Sequence, residues 1–177
     1  MLEGVQEVID KFKERVIKEA QQNLQRKKKN VTGKLYNSLD ARVKESKNSI
    51  ELTFGMEEHG WYQDLGVSGR RQVRSNTPFS YKTKFPPRGA IDKWVIQKGI
   101  FNNQIRDKKG RFIKRKSLTY LIQRKIFNKG IAPSYFFTKP FEKYIKRLPK
   151  DVLDAYGLEF EKLIGQTIEE NFKRYMK

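Results

Sequence analysis

Between Arg106 and Lys116, seven of eleven residues are cations: Arg106, Lys108, Lys109, Arg111, Lys114, Arg115 and Lys116. Upstream, Arg70, Arg71, Arg74, Lys82, Lys84 and Arg88 form a second group. Such a density of Arg and Lys is suited to phosphate, whose charge it neutralises with release of counterions and without reading sequence. Tyr81, Phe85 and Phe112 interleave with these cations, and could stack on bases or anchor the loop. The same charge would serve equally against an acidic protein neighbour, or for solubility. No zinc-finger spacing, RNA-recognition aromatic motif, GXXG or helix-turn-helix accompanies it, so contact with nucleic acid would be nonspecific.

The other chemistry-bearing cluster is Glu57-Glu58-His59, followed by Asp64 and preceded by Glu51. Carboxylates with a Lys could serve a metal-dependent nuclease. Adjacent acids in a loop are ordinarily solvated, however, and His59 reads as a surface or loop-packing residue. With no Cys and one His, thiolate metal sites, cysteine nucleophiles, disulfides and any site needing two imidazoles are excluded. Gly66-Val67-Ser68-Gly69 lacks the Lys-Ser/Thr and the helix that a phosphate loop requires. Neither enzymatic activity nor a cofactor is expected.

The charge is segregated along the 177 residues. Residues 1–60 carry a net +2, residues 61–147 a net +18 and residues 148–177 a net −1, for +19 overall. Twelve Phe, eight Tyr and two Trp supply apolar area that a disordered polybasic tail would lack. No apolar run approaches the ~20 residues of a membrane span, and acids throughout residues 1–20 are unlike a signal peptide. A soluble, intracellular, basic globular protein is expected.

Leu2, Val5, Ile9, Phe12, Val16, Ala20 and Leu24 recur at spacings of three and four, one apolar stripe on a helix of about six turns. From Leu35 the period changes to two. Leu35, Leu39, Ala41 and Val43, then a turn at 46–49, then Ile50, Leu52 and Phe54, predict a β-hairpin with one buried face. Thr32-Gly33 could equally cap a helical turn across Lys34–Leu39. Gly66 and Gly69 suggest positive φ after a short segment around Trp61. Residues 70–88 read as an extended loop, and 90–100 as a helix begun by Pro87 and stopped by Gly99. Asp107–Gly110 is turn chemistry. A short helix runs from Leu118 to Phe127 and closes at Gly130. Ile131–Phe137 is extended, and a final helix after Pro149 carries Val152, Tyr156, Phe160, Leu163, Ile164, Ile168, Phe172 and Tyr175 on one face. These elements predict a single α+β domain over 1–177. Long terminal helices pack on a small antiparallel sheet, with a basic, loop-rich insertion at 67–131.

Three segments in this order resemble one family. Val31-Thr32-Gly33-Lys34-Leu35-Tyr36-Asn37-Ser38-Leu39 is similar to the T-G-x-L-x-x-S-hydrophobic segment following the first helix in small tail-completion and head–tail joining (neck) proteins of tailed bacteriophages. Trp61-Tyr62-Gln63-Asp64-Leu65-Gly66 resembles its aromatic pair followed by acid-x-Gly, where Glu is the commoner acid. Ala132-Pro133-Ser134-Tyr135-Phe136-Phe137-Thr138-Lys139-Pro140-Phe141 resembles its proline-aromatic stretch leading into the last helix. The resemblance implies a virion protein forming a homo-oligomeric ring around the DNA channel. Its neighbours would be the portal or adaptor and the tail-tube or tail-terminator proteins, after assembly in the host cytoplasm. The insertion at 67–131 is longer and more basic than the family's loop. A closed head-to-tail ring needs two different apolar patches per subunit. The expected ones are the first helix (Phe12, Val16) and the segment of Tyr135, Phe136, Phe137 and Phe141.

Overall fold

A computed structural model of the chain describes residues 3–46, 49–74, 76–101 and 105–175. Leu2, the turn residues Lys47 and Asn48, and the side chains of Leu163, Ile168, Phe172 and Tyr175 lie outside the described residues. The architecture is α+β, as the sequence predicts.

Helix α1 (Glu3–Arg26) buries Val5, Ile9, Phe12, Val16, Ala20 and Leu24, the periodic stripe of the sequence. Asn30 accepts the Gly33 N–H at 2.9 Å, and Gly33 takes φ +78°. This turn starts the short helix α2 (Lys34–Asn37), so of the two readings of 34–39 the helical turn is the one that forms. Strands β1 (Asp40–Ser46) and β2 (Ser49–Gly55) pair antiparallel, with Ala41 opposite Phe54 and Val43 opposite Leu52. That register puts the four apolar side chains on one face of the hairpin.

Helix α3 (Glu58–Asp64) follows, then the insertion. The insertion contains α4 (Arg88–Gln97), preceded by Pro87, and α5 (Arg115–Lys129), which packs against α4. Ile91, Val95, Thr119 and Phe127 are buried there, and Phe85 stacks on Phe127 with ring centroids 4.1 Å apart. Phe85 is therefore an anchor of its loop.

The apolar stretch of Ile131–Phe137 leads into α6 (Thr138–Ile145) and α7 (Leu148–Tyr175). The final helix predicted after Pro149 forms as α7, with Pro149 in its first turn, where its missing N–H costs nothing; α6 before it has no counterpart in the sequence reading. The core joins Phe12, Val16, Ala20 and Leu24 of α1 to Leu35, Leu39, Phe136 and Phe137. Phe54 and Phe141 add edge-to-face contacts, with centroids 5.4 Å from Phe54 to Phe137 and 6.1 Å from Phe12 to Phe141. Each fully buried Leu or Phe contributes about 1.5–3 kcal/mol, and each aromatic pair about 0.5–1.5 kcal/mol more.

Candidate functional site

Of the three segments that carry the family resemblance, the second bonds to the third, and the first bonds to the residue that precedes the helix carrying the second. Ser38 accepts the Glu57 N–H at 3.0 Å and donates to Leu35 O, fixing the start of α3 against α2. Gly60 lets α3 close on α2: a Cβ there would stand 2.7 Å from Leu35 Cδ1. Asp64, at the end of α3, is fully buried. Its carboxylate accepts the Phe137 N–H at 2.8 Å, the Thr138 N–H and the Thr138 hydroxyl. These are orphan donors at the start of α6, so Asp64 caps a helix begun more than seventy residues away. Asn23 of α1 donates to Phe136 O at 3.2 Å, and Lys27 donates to Ser134 O. Burial holds the Lys27 ammonium below its ordinary pKa. Asp64 is thus a structural keystone. Glu57 and Glu58 are exposed, with His59 Nδ1 3.9 Å from Glu57. Among the described residues no group of three acids or imidazoles could hold a metal.

The insertion is attached by a backbone zipper. Val67 and Ile131 exchange hydrogen bonds, and the Arg70 and Arg71 N–H groups donate to the carbonyls of Phe127 and Asn128 at 2.8 and 2.9 Å. Those carbonyls belong to the last turn of α5, which would otherwise be unpaired. Gly66 and Gly130 take φ of +77° and +71°. Gly69 does not; it is required because a Cβ would lie 2.3 Å from Asn128 O. The positive φ expected at Gly69 is therefore replaced by close approach of two chain segments.

This zipper places Arg71 and Gln72 beside the outer face of α5, forming an open cleft of about 580 Å³ lined also by Leu121, Arg124, Lys125, Asn128 and Lys129. No acidic residue lines it among the described residues. Arg74 reaches Lys129 O at 3.5 Å, while its Nε is buried with no hydrogen-bond partner among the described residues. Arg124, Lys125 and Lys129 are not among the cations the sequence singled out. Their helical spacing beside Tyr120 and Leu121 was the available signal, but their meeting with Arg71 depends on contacts across some fifty residues.

The second predicted group forms a small hairpin over 105–113, with Arg106 bridged to Phe112 and Gly110 at φ +78°. Asp107 organises its turn by accepting the backbone N–H groups of Lys109 and Arg111 and the Arg111 guanidinium, each at 2.9 Å. The Arg111 backbone bond, first, holds the Asp107 carboxyl below the usual range. Arg106 lies over the Phe112 ring at 4.0 Å and donates to Gly110 O, and Arg115 pairs with Asp92 at 3.2 Å. Lys108, Lys109, Lys114 and Lys116 are exposed and make no side-chain bond among the described residues. Lys114, Arg115 and Lys116 stand at the start of α5, with no acid in its first turn, so they add to the positive end of the helix dipole instead of opposing it.

The expected interface residues divide. Phe12, Val16, Phe136 and Phe137 are buried in the chain's own core, because the first helix packs on the Tyr135–Phe141 segment of the same chain. They are not available to a neighbour, which corrects the expectation for these four. Tyr135 and Phe141 are half-buried, with Lys139 over the Tyr135 ring at 5.9 Å. The large exposed apolar side chains instead include Leu153, Tyr156, Phe160 and Ile164 of α7. Among the described residues no helix is long and apolar enough to cross a membrane. No family model, curated protein or solved structure matches the chain.

Proposed function

We propose that this chain is a structural subunit of the neck or tail top of a tailed bacteriophage, working as part of a homo-oligomeric ring and not as an enzyme. The observation that carries the reading is the way the three resembling segments depend on one another. Ser38 of the first holds the start of α3, the helix that carries Asp64 of the second; Asp64 caps the third, and α1 packs on the first and the third. Interlocking of this kind gives the segments a common structural reason, and the reading takes it as the family's body with a basic insertion added. In the ring, the hairpin at 105–113 and the start of α5 face DNA or an acidic surface of an adjoining portal, adaptor or tail protein. The test is the composition of purified particles. The reading expects the chain in fixed copy number at the head–tail junction, and unjoined heads and tails when its gene is deleted. Its absence from particles that still join overturns the reading.

A second reading, nonspecific nucleic-acid binding outside a virion, is favoured by Phe112. Its ring is 61% exposed beneath the Arg106 guanidinium, a pairing suited to stacking on a base. Binding to double-stranded DNA with a steep salt dependence, by a chain absent from particles, selects it.

A further inference from the structure

We propose that α7 of one copy docks, along Asp151–Glu161, into the cationic cleft between Arg71 and α5 of a second copy. The proposal rests on the ring reading and names the two surfaces that would close the ring. Leu153, Tyr156, Phe160 and Ile164 are spaced by three, four and four residues, so they form one stripe on α7. Leu153 is 70%, Tyr156 55% and Phe160 56% exposed, so the subunit itself leaves the stripe uncovered. A contiguous exposed apolar face of this kind marks an interaction site.

Charge selects the occupant. Residues 151–161 carry Asp151, Asp154, Glu159 and Glu161 and no Lys or Arg, whereas 67–131 holds eighteen cations and two acids. The cleft combines the matching features: Leu121, half-exposed, lies among Arg71, Arg124, Lys125 and Lys129. None of these four cations pairs with a carboxylate among the described residues. An acidic helix with aromatic side chains covers both the cations and Leu121. A phosphodiester strand would meet the cations and leave Leu121 uncovered, so the mixed lining favours the helix. Two different patches on one chain make a heterologous contact, which propagates and closes as a ring when the rotation permits.

Two variants test this, each altering exposed side chains only. Tyr156→Ser/Phe160→Ser removes the α7 face; Leu121→Asp/Arg124→Glu removes the cleft. Sedimentation of the full chain should show wild type associating and each variant alone as a single chain. The two variants mixed retain one good pair of faces, and should give a two-chain species and nothing larger. Because the chain has no cysteine, Phe160→Cys/Leu121→Cys should cross-link under mild oxidation into a ladder, while either single substitution, with no thiol across the contact, should remain a single chain. If the cleft variant associates as wild type does while the α7 variant does not, α7 meets another α7 and the proposal is wrong. If both variants associate as wild type does, the docking is wrong and the ring reading stands on another interface. If the cleft variant loses only its binding to a double-stranded oligonucleotide, the cleft seats phosphate and the proposal fails. A wild-type chain that never associates, together with a double-cysteine variant that gives no ladder, overturns both docking and ring.

Discussion

In the body of the chain, Asp64 sits fully buried with both oxygens accepting bonds from the start of α6. In the insertion, Arg71, Arg124, Lys125 and Lys129 stand around an open cleft with no carboxylate among its lining residues. The body closes its polar and apolar groups on themselves. The insertion and α7 leave theirs open. One region therefore carries stability, and the other, at a cost in self-repulsion, carries whatever the protein meets. Substitutions in the two regions should differ accordingly.

The largest effect is expected at Asp64. Asp64→Ala leaves the Phe137 and Thr138 donors buried and unpaired, and should cost about 2–4 kcal/mol. Thermal unfolding should read this as a fall of roughly 4–16 °C in Tm. Asp64→Asn, which keeps one acceptor oxygen, should lose clearly less. A tolerated Asp64→Ala would break the contrast at its root.

Gly130→Ala comes next. Its Cβ would meet Val67 O at 1.9 Å, in a backbone already at φ +71°, for a cost of about 1–3 kcal/mol. The damage should stay local. Hydrogen exchange should accelerate at the Arg70 and Arg71 amides while the α1 amides keep their protection.

Replacing Lys108, Lys109, Lys114 and Lys116 together with Gln should leave Tm unchanged or slightly raised, because these side chains support nothing and repel one another. Affinity for double-stranded DNA should fall, with the log–log salt slope reduced by about 0.9 for each phosphate no longer neutralised. Loss of folding instead would assign the insertion's cations to the body's category.

The smallest effect is expected at Glu19→Gln. Glu19 accepts from Lys143 and from the Tyr144 hydroxyl, both at 2.7 Å, and these bonds, Lys143 first, hold its carboxyl below the usual range. A depressed carboxyl stabilises the fold above its unfolded pKa, about 4.3, and the contribution fades as pH falls through the folded value. The variant should be slightly less stable at neutral pH, and the two unfolding curves should converge in acid.

Much of this organisation was legible in the sequence because it is periodic or local. The α1 stripe, the hairpin alternation and the Gly66 turn each have a short-range signature. What escaped depends on distance. A carboxylate that caps a helix start seventy residues onward leaves no local pattern, so Asp64 read as an acid in a cluster and as the acid of a resembling segment, not as a cap. An apolar stripe says that a face must be covered, not by what. Phe12 and Val16 turned out to face Phe136 and Phe137 of the same chain, leaving α7 as the exposed stripe. Arg124, Lys125 and Lys129 were passed over for the same reason, since they meet Arg71 through the backbone bonds that join 67–71 to 127–131.

Single-particle imaging of the assembled virion tests the central claim most directly. The account predicts a ring of this subunit at the head–tail junction, with the 105–113 hairpin lying against DNA or an acidic protein face. Density showing that hairpin in open solvent with no negative surface near it would contradict the account.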